Sequence, residues 1–484
     1  MSEQQQTLTS QQAIDLAVEH HNKGRLSQAE TIYQQILRSD PNQPIALHLL
    51  GVISHQTGKN NLAVDLITKA LAIKPDYAEA HNNLGATLKD LGKLEEAVAS
   101  YRKALDLKPD YAATHNNLGL ALQGLGKLEE AGDSYQRALA IRPDFTEALG
   151  NYGVLLLTQG GRQEALSCFD KRMELVRGEN PTDPDLESFR LITKVKMKHD
   201  IEQFRYLESL GTDADRFGKL ARTYSELDQE IQWPDNDSAI VPLSEEYRDR
   251  IGSSYNRPLH LLETPEIPGS ALNQNLNTKS ITRSYMGNAP GMAYFDNFLN
   301  PEALHALRRF LMESTIWYAF KYPGGYLGAM LVDGMACPLL FQIADELRQK
   351  LPDIFKHHPL NQLWAYKYDS QLTGINVHAD FAAINVNFWI TPDSANRNPT
   401  NGGLIVHKKE APLEWSFKVY NRDTKRVREF LTEHDSGKMV VPYAENRVVL
   451  FNSNLFHETD SFEFKPGYEN RRINITMLFG TRWD

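Results

Sequence analysis

A glycine recurs every 34 residues at Gly24, Gly58, Gly92, Gly126 and Gly160, and this period constrains the fold more than any other feature of the chain. Three further registers keep the same step: Ala29, Ala63, Ala97, Ala131 and Ala165; Gly51, Gly85, Gly119 and Gly153; and Pro41, Pro75, Pro109 and Pro143. Small residues at two fixed places let paired helices approach closely. A glycine suits the tight turn between them, and a proline ends the second helix. Each unit is therefore expected to be a helical hairpin, with PDYAEAHNNLGATLKDLGKLEEAVASYRKALDLK as its clearest copy.

This pattern resembles the tetratricopeptide repeat and covers residues 8–176 as five repeats. The resemblance implies an all-α solenoid with a concave face, usually a peptide-binding surface. Asn83, Asn117 and Asn151 share one repeat position. In related repeats of the O-linked N-acetylglucosamine transferase, asparagines at this place contact the backbone of a bound peptide. A side-chain amide both donates and accepts, so a row of them can grip a main chain of any sequence. The same asparagines could equally be family consensus with no peptide partner.

The repeat fails at GENPTDPDLE, and residues 177–288 read as a helical and irregular connector. Within it, RLITKVKMKHDIEQFRYLESL and DADRFGKLARTYSELDQEI show 3.6-residue periodicity, and they are expected to cap the solenoid and join it to the next domain. From Met292 the texture changes to short apolar or alternating runs, LWAYKYD, GINVHAD, AAINVNFWIT, GGLIVHKK, RVVLFNS and RRINITMLFG, which are expected to be strands of a barrel or sandwich over 289–484. The fold class is thus multidomain α + β.

Composition limits what such a chain can bind. A net charge of −10 argues against a general affinity for nucleic acid or anionic membrane. No run of eighteen apolar residues is present, the N-terminal stretch has no basic or apolar signal region, and Cys168 and Cys337 are the only cysteines. A cytoplasmic protein without disulfides, membrane span or nucleic-acid partner is expected.

GINVHAD places His378 and Asp380 two apart on an expected strand, so both side chains leave one face. FNSNLFHETD supplies His457 at the end of another strand. Two imidazoles and a carboxylate can hold iron(II) on one face and leave three positions open. This His-x-Asp…His arrangement, followed by RRINITMLFG, resembles the double-stranded β-helix (jelly-roll) of 2-oxoglutarate-dependent oxygenases, prolyl hydroxylases in particular, over residues 292–482. The resemblance implies His378, Asp380 and His457 as catalytic metal ligands, with iron(II), 2-oxoglutarate and O2 required and ascorbate as a candidate reductant. It implies Arg472 as the residue binding the distal carboxylate of 2-oxoglutarate, with Arg471 as its rival. Tyr368, ten positions before His378, is implied as a second co-substrate contact, and Asn385 and Asn387 as weaker ones. An aspartate at 380 points to hydroxylation or demethylation rather than halogenation. Tyr318, Tyr322 and Tyr326, with Gly324 and Gly325, could form a mobile substrate mouth or simply pack.

The expected function is hydroxylation of a peptide or protein side chain recruited by the repeats. Two alternatives stay open: a small-molecule hydroxylase whose repeats serve assembly, and a repeat scaffold without activity.

Overall fold

A computed structural model of the chain describes residues 9–320, 325–369, 374–434 and 437–482. The chain forms two compact units, Met1–Leu155 and Leu156–Asp484.

The first unit is a run of antiparallel helices: α1 (Ser10–Asn22), α2 (Leu26–Ser39), α3 (Pro44–Gln56), α4 (Asn60–Ile73), α5 (Ala78–Asp90), α6 (Leu94–Leu107), α7 (Ala112–Gly124), α8 (Leu128–Ile141) and α9 (Thr146–Thr158), whose last turn crosses the boundary. The periodic glycines from Gly24 to Gly126 stand in the turns at φ between +70° and +78°, a left-handed conformation that glycine adopts without strain. At Gly85 and Gly119 the requirement is instead space. A Cβ there would lie 2.6 Å from the ring of Tyr101 or Tyr135, which are fully buried. Ala29, Ala63, Ala97 and Ala131 are likewise fully buried where helices meet.

His48 sits within this unit, 2% exposed, with Nδ1 2.9 Å from the Tyr77 hydroxyl and Nε2 2.8 Å from Nδ2 of Asn83. Burial pushes its pKa from 6.5 down to about 4, with Glu79 opposing. A histidine that is harder to protonate when folded stabilises above its unfolded pKa, and that stability drains away as pH falls from 6.5 toward 4. By pH 5 the repeat unit is expected to lose up to about 2 kcal/mol on this account. Urea unfolding at pH 7.5 and pH 5 checks it: His48→Asn, which places there the residue found one and two repeats later at Asn82 and Asn116, should flatten the difference.

The second unit begins with the end of α9 and α10 (Arg162–Arg177) and continues through α11 (Glu187–Arg190), β1 (Leu191–Ile192), α12 (Lys194–Ser209), α13 (Ala214–Glu230) and β2 (Val241–Pro242). The periodicity runs through α10, yet this helix belongs to the second unit. Buried Arg177 forks onto Asp333 through Nε and Nη2 at 2.7 and 2.6 Å and lies 4.0 Å over the Tyr318 ring. Arg172 donates to the Val332 carbonyl at 2.7 Å.

Residues 177–288 also do more than connect. α12 and α13 share a core of Phe204, Phe217, Tyr224 and Leu227. On another side of α12, Gln203 donates to the carbonyls of Met312 and Ser314. Buried Lys196 and Asp200 pair one turn apart at 2.5 Å. Burial pushes the lysine pKa down and the aspartate up, and each charge opposes the other's shift.

The β structure comprises β3 (Met292–Phe295), β4 (Tyr326–Met330), β5 (Leu360–Tyr368), β6 (Ile384–Trp389), β7 (Leu404–Glu410), β8 (Lys438–Val441), β9 (Val448–Asn452), β10 (Leu455–Thr459) and β11 (Arg472–Phe479). Six strands pair antiparallel in the order β3-β9-β6-β11-β5-β4, and three more in the order β10-β7-β8. The expected strands are present with one exception. GINVHAD forms only an isolated bridge, His378 to His457, because His378 pairs with β10 while Ala379 and Asp380 bond to the carbonyls of Tyr420 and Ser453. Among the described residues no helix is long and apolar enough to cross a membrane, and Cys168 and Cys337 are free.

Candidate metal centre

His378 and His457 are brought together by backbone pairing. The amide of each donates to the carbonyl of the other, at 3.0 and 2.8 Å. His457 lies in the middle of β10, past a bulge after Leu455, rather than at the end of the preceding strand as the sequence suggested. The turn at Ser453 and Asn454 separates β10 from β9 and lets the chain pass from the larger sheet to the smaller.

Each imidazole is oriented by a main-chain carbonyl. His378 Nδ1 donates to Asn376 at 2.8 Å, and His457 Nδ1 donates to Leu455 at 3.1 Å. With Nδ1 carrying the proton, Nε2 of a neutral ring is an acceptor. The Nε2 atoms lie 3.6 and 3.4 Å from Oδ1 and Oδ2 of Asp380, respectively. Three acceptor groups, their ligand atoms within 4.8 Å of one another, thus converge with no donor among them, an arrangement that a cation would satisfy. Burial, helped by His457, pushes the His378 pKa down to about 4 against the pull of Asp380. Burial alone would raise the Asp380 carboxyl, but His378, His457 and Asn385 together hold it below the usual value. Two nitrogens, one carboxylate and an open side suit iron(II).

The open side faces a cavity of about 950 Å³. Its wall is the face of the larger sheet that carries the even-numbered residues of β5 and β11, among them Trp364, Tyr366, Tyr368, Arg472, Asn474 and Thr476. Register places Tyr368 opposite Arg472, with the guanidinium carbon 4.8 Å from the tyrosine ring. Arg472 is 1% exposed; Nε and Nη2 donate to the carbonyls of Gly402 and Gly403 at 2.7 and 3.2 Å, while Nη1 is buried without an acceptor. Burial lowers the Arg472 pKa and raises that of Tyr368, each partly offset by the other. Arg471, on the other face, bonds to Glu202 at 2.8 Å and Asp369 at 3.2 Å. The cavity therefore has Arg472 in its wall, and Arg471 belongs to the packing of α12 on the sheet.

Several residues of the site went unremarked or were assigned differently in the sequence. Asn385 bonds to Asp380 Oδ2 at 2.8 Å instead of entering the cavity. Asn387 donates to Asn385 and accepts from Asn474 and Thr476, all buried, so an amide chain runs from the carboxylate to β11. Gly402 and Gly403, which open the GGLIVHKK run, supply the carbonyls that hold Arg472. A Cβ on Gly403 would lie 1.9 Å from the Val441 carbonyl oxygen, so only glycine brings this backbone so close to its neighbour. Tyr326 lines the cavity, Tyr318 is buried under Arg177, and Tyr322 and Gly324 lie outside the described residues. In the repeats, Asn117 and Asn151 donate to Asn82 and Asn116 of the preceding hairpin, as Asn83 does to His48. The asparagine row thus helps bind one hairpin to the next.

Comparison with known proteins places tetratricopeptide repeats over residues 14–78, 66–99, 87–126 and 112–145. Repeats of this kind mark the N-terminal helices as a module for protein–protein interaction. Among solved structures, TTC0263 of Thermus thermophilus, a thermophilic TPR protein, is 27% identical over 37% of this chain and 95% of its own, with a TM-score of 0.32. MamA of Desulfovibrio magneticus is 22% identical over 35% of this chain and 97% of its own, with a TM-score of 0.33. YrrB, described as a TPR protein with an unusual peptide-binding site, is 22% identical over 34% and 86%, with a TM-score of 0.30. No curated protein matches the chain.

Proposed function

We propose that the chain is a 2-oxoglutarate- and iron(II)-dependent dioxygenase that hydroxylates a side chain of a peptide or protein recruited by its repeats. The observation that carries this reading is the convergence of His378, Asp380 and His457 as three acceptors on the mouth of a cavity whose wall holds the buried, incompletely bonded Arg472. The six-stranded and three-stranded antiparallel sheets, the smaller one extended by the His378–His457 bridge, agree with a double-stranded β-helix.

On this reading His378, Asp380 and His457 hold iron(II). Arg472, with Tyr368 beside it, would hold the distal carboxylate of 2-oxoglutarate, its buried Nη1 having no acceptor of its own. Bound together, iron(II), 2-oxoglutarate and O2 supply the oxidising power to hydroxylate a C–H bond. The chain's own residues do the positioning. The Nδ1 donations to Asn376 and Leu455 keep both rings in one tautomer and orientation, Asn385 steadies the carboxylate, and the Phe451 ring packs 4.9 Å from that of His457. The repeats turn the choice of substrate toward a polypeptide.

Purified chain supplied with iron(II), 2-oxoglutarate, O2 and ascorbate is expected to release succinate, and faster when given the protein fraction of a lysate cleared of small molecules. Stimulation by the small-molecule fraction alone would instead select the metabolite hydroxylase. Succinate release that His378→Ala leaves unchanged would select the inactive scaffold.

A further inference from the structure

We propose that the substrate of this site is an acidic stretch of polypeptide, recognised at the cavity mouth by Arg422 and Lys418; the proposal rests on the oxygenase reading and narrows its substrate class. Among the described residues lining the cavity, Asp380 is the single carboxylate, whereas Arg472 and Arg422 are both cationic. Arg472 is committed deep in the wall. Arg422 is exposed, lies 5.4 Å over the Phe417 ring and forms no ion pair among the described residues.

The segment that carries Arg422 is tied directly to the candidate metal ligands. Ala379, between His378 and Asp380, donates its amide to the Tyr420 carbonyl at 3.0 Å, and Asn421 Nδ2 donates to the Ala379 carbonyl at 2.8 Å. The guanidinium therefore belongs to the mouth and not to a loop that merely passes by.

From Trp415 to Arg428 the chain carries five cations, Lys418, Arg422, Lys425, Arg426 and Arg428, against the single acid Asp423, although the whole protein has a net charge of −10. Asp423 caps the following helix by accepting from the Arg426 amide, and Arg428 is paired with Glu458 at 2.7 Å. Lys425 pairs with Glu429 at 4.0 Å, and Arg426 lies 5.5 Å over the Trp415 ring. Of the rest, Arg422 is exposed in the cavity lining and Lys418 is exposed directly after the lining residue Phe417, with Phe381 and Phe417, each 44% exposed, as apolar contacts. Such a local positive field steers and orients an anionic partner. The cavity of about 950 Å³ is at the upper end for ligand sites, enough for a substrate side chain as well as a co-substrate. A nucleic acid would also meet cations and aromatic rings, but the protein-interaction repeats favour a polypeptide.

Fluorescence anisotropy with the full chain, loaded with Mn(II) and 2-oxoglutarate, tests this with degenerate dodecapeptide pools carrying four fixed aspartates, asparagines or lysines, and with a dodecamer of single-stranded DNA. The aspartate pool is expected to bind about tenfold more tightly than the asparagine pool at low salt, an advantage that shrinks at 0.5 M salt. The Lys418→Ala/Arg422→Ala double variant should abolish the advantage while leaving Mn(II) affinity and the melting temperature unchanged. Equal binding of the three pools, no binding of any, tighter binding of the DNA, or an aspartate preference that survives the double variant would each overturn the proposal. If the preference holds but no succinate forms, the oxygenase reading fails and the acidic docking site stands. If succinate forms with neutral peptides but the aspartate pool is neither bound more tightly nor turned over faster than the asparagine pool, the oxygenase reading stands and the acidic docking site fails.

Discussion

Asp380→Ala is expected to remove metal binding and bring 2-oxoglutarate turnover to background. The aspartate contributes the single carboxylate of the cluster, and each imidazole addresses a different one of its oxygens. Its loss leaves two neutral donors, and the affinity for Mn(II) or Co(II) should fall by more than about 100-fold. Metal-free stability should fall by about 1–3 kcal/mol, because Asn385 loses a buried acceptor. Thermal unfolding with and without Mn(II) checks both halves: the wild type should gain stability with metal by mass action and the variant should not. A variant still stabilised by metal to the wild-type degree would exclude the His378–Asp380–His457 site.

Arg472→Lys is expected to raise the KM for 2-oxoglutarate about 100-fold while leaving metal affinity intact. Arginine binds the Gly402 and Gly403 carbonyls through Nε and Nη2 and still has Nη1 for a ligand. Lysine is a single point of charge on a flexible stem and cannot fill all three positions. Losing a charge-assisted bond in a buried site is worth about 1.5–3 kcal/mol, which sets the expected shift. Arg471→Lys provides the contrast. Its guanidinium serves Glu202 and Asp369 on the opposite face, so it should lower the melting temperature and leave KM unchanged. A KM that follows Arg471 would reverse the assignment. Titration of 2-oxoglutarate against initial succinate rate, beside a melting curve for each variant, separates the two.

The helical hairpins were legible because their signals are local. A turn glycine, a helix-ending proline and a buried alanine each act within a few residues, and repetition multiplies the signal. The same locality says nothing of what holds α10, which carries the repeat pattern while Arg172 and Arg177 bind it to residues 332 and 333. Long-range ion pairs leave no trace in a 34-residue period. The residues after 177 were hardest to assign for a similar reason: periodicity identified α12 and α13 as amphipathic but could not reveal that Lys196, Asp200 and Gln203 are buried.

At the candidate metal centre, the sequence alone named the candidate donors, because histidine and aspartate are chemical identities that need no coordinates. It also narrowed the candidate co-substrate arginine to two neighbours. Tertiary structure decided the rest: that His378 and His457 face each other through a backbone bridge, that Arg472 and not Arg471 enters the cavity wall, and that Gly402, Gly403 and a chain of buried amides support the site. The physical reason is that adjacent residues of a strand point to opposite faces, and which face is inside depends on the pairing of β11 with β5, a contact between residues about a hundred positions apart.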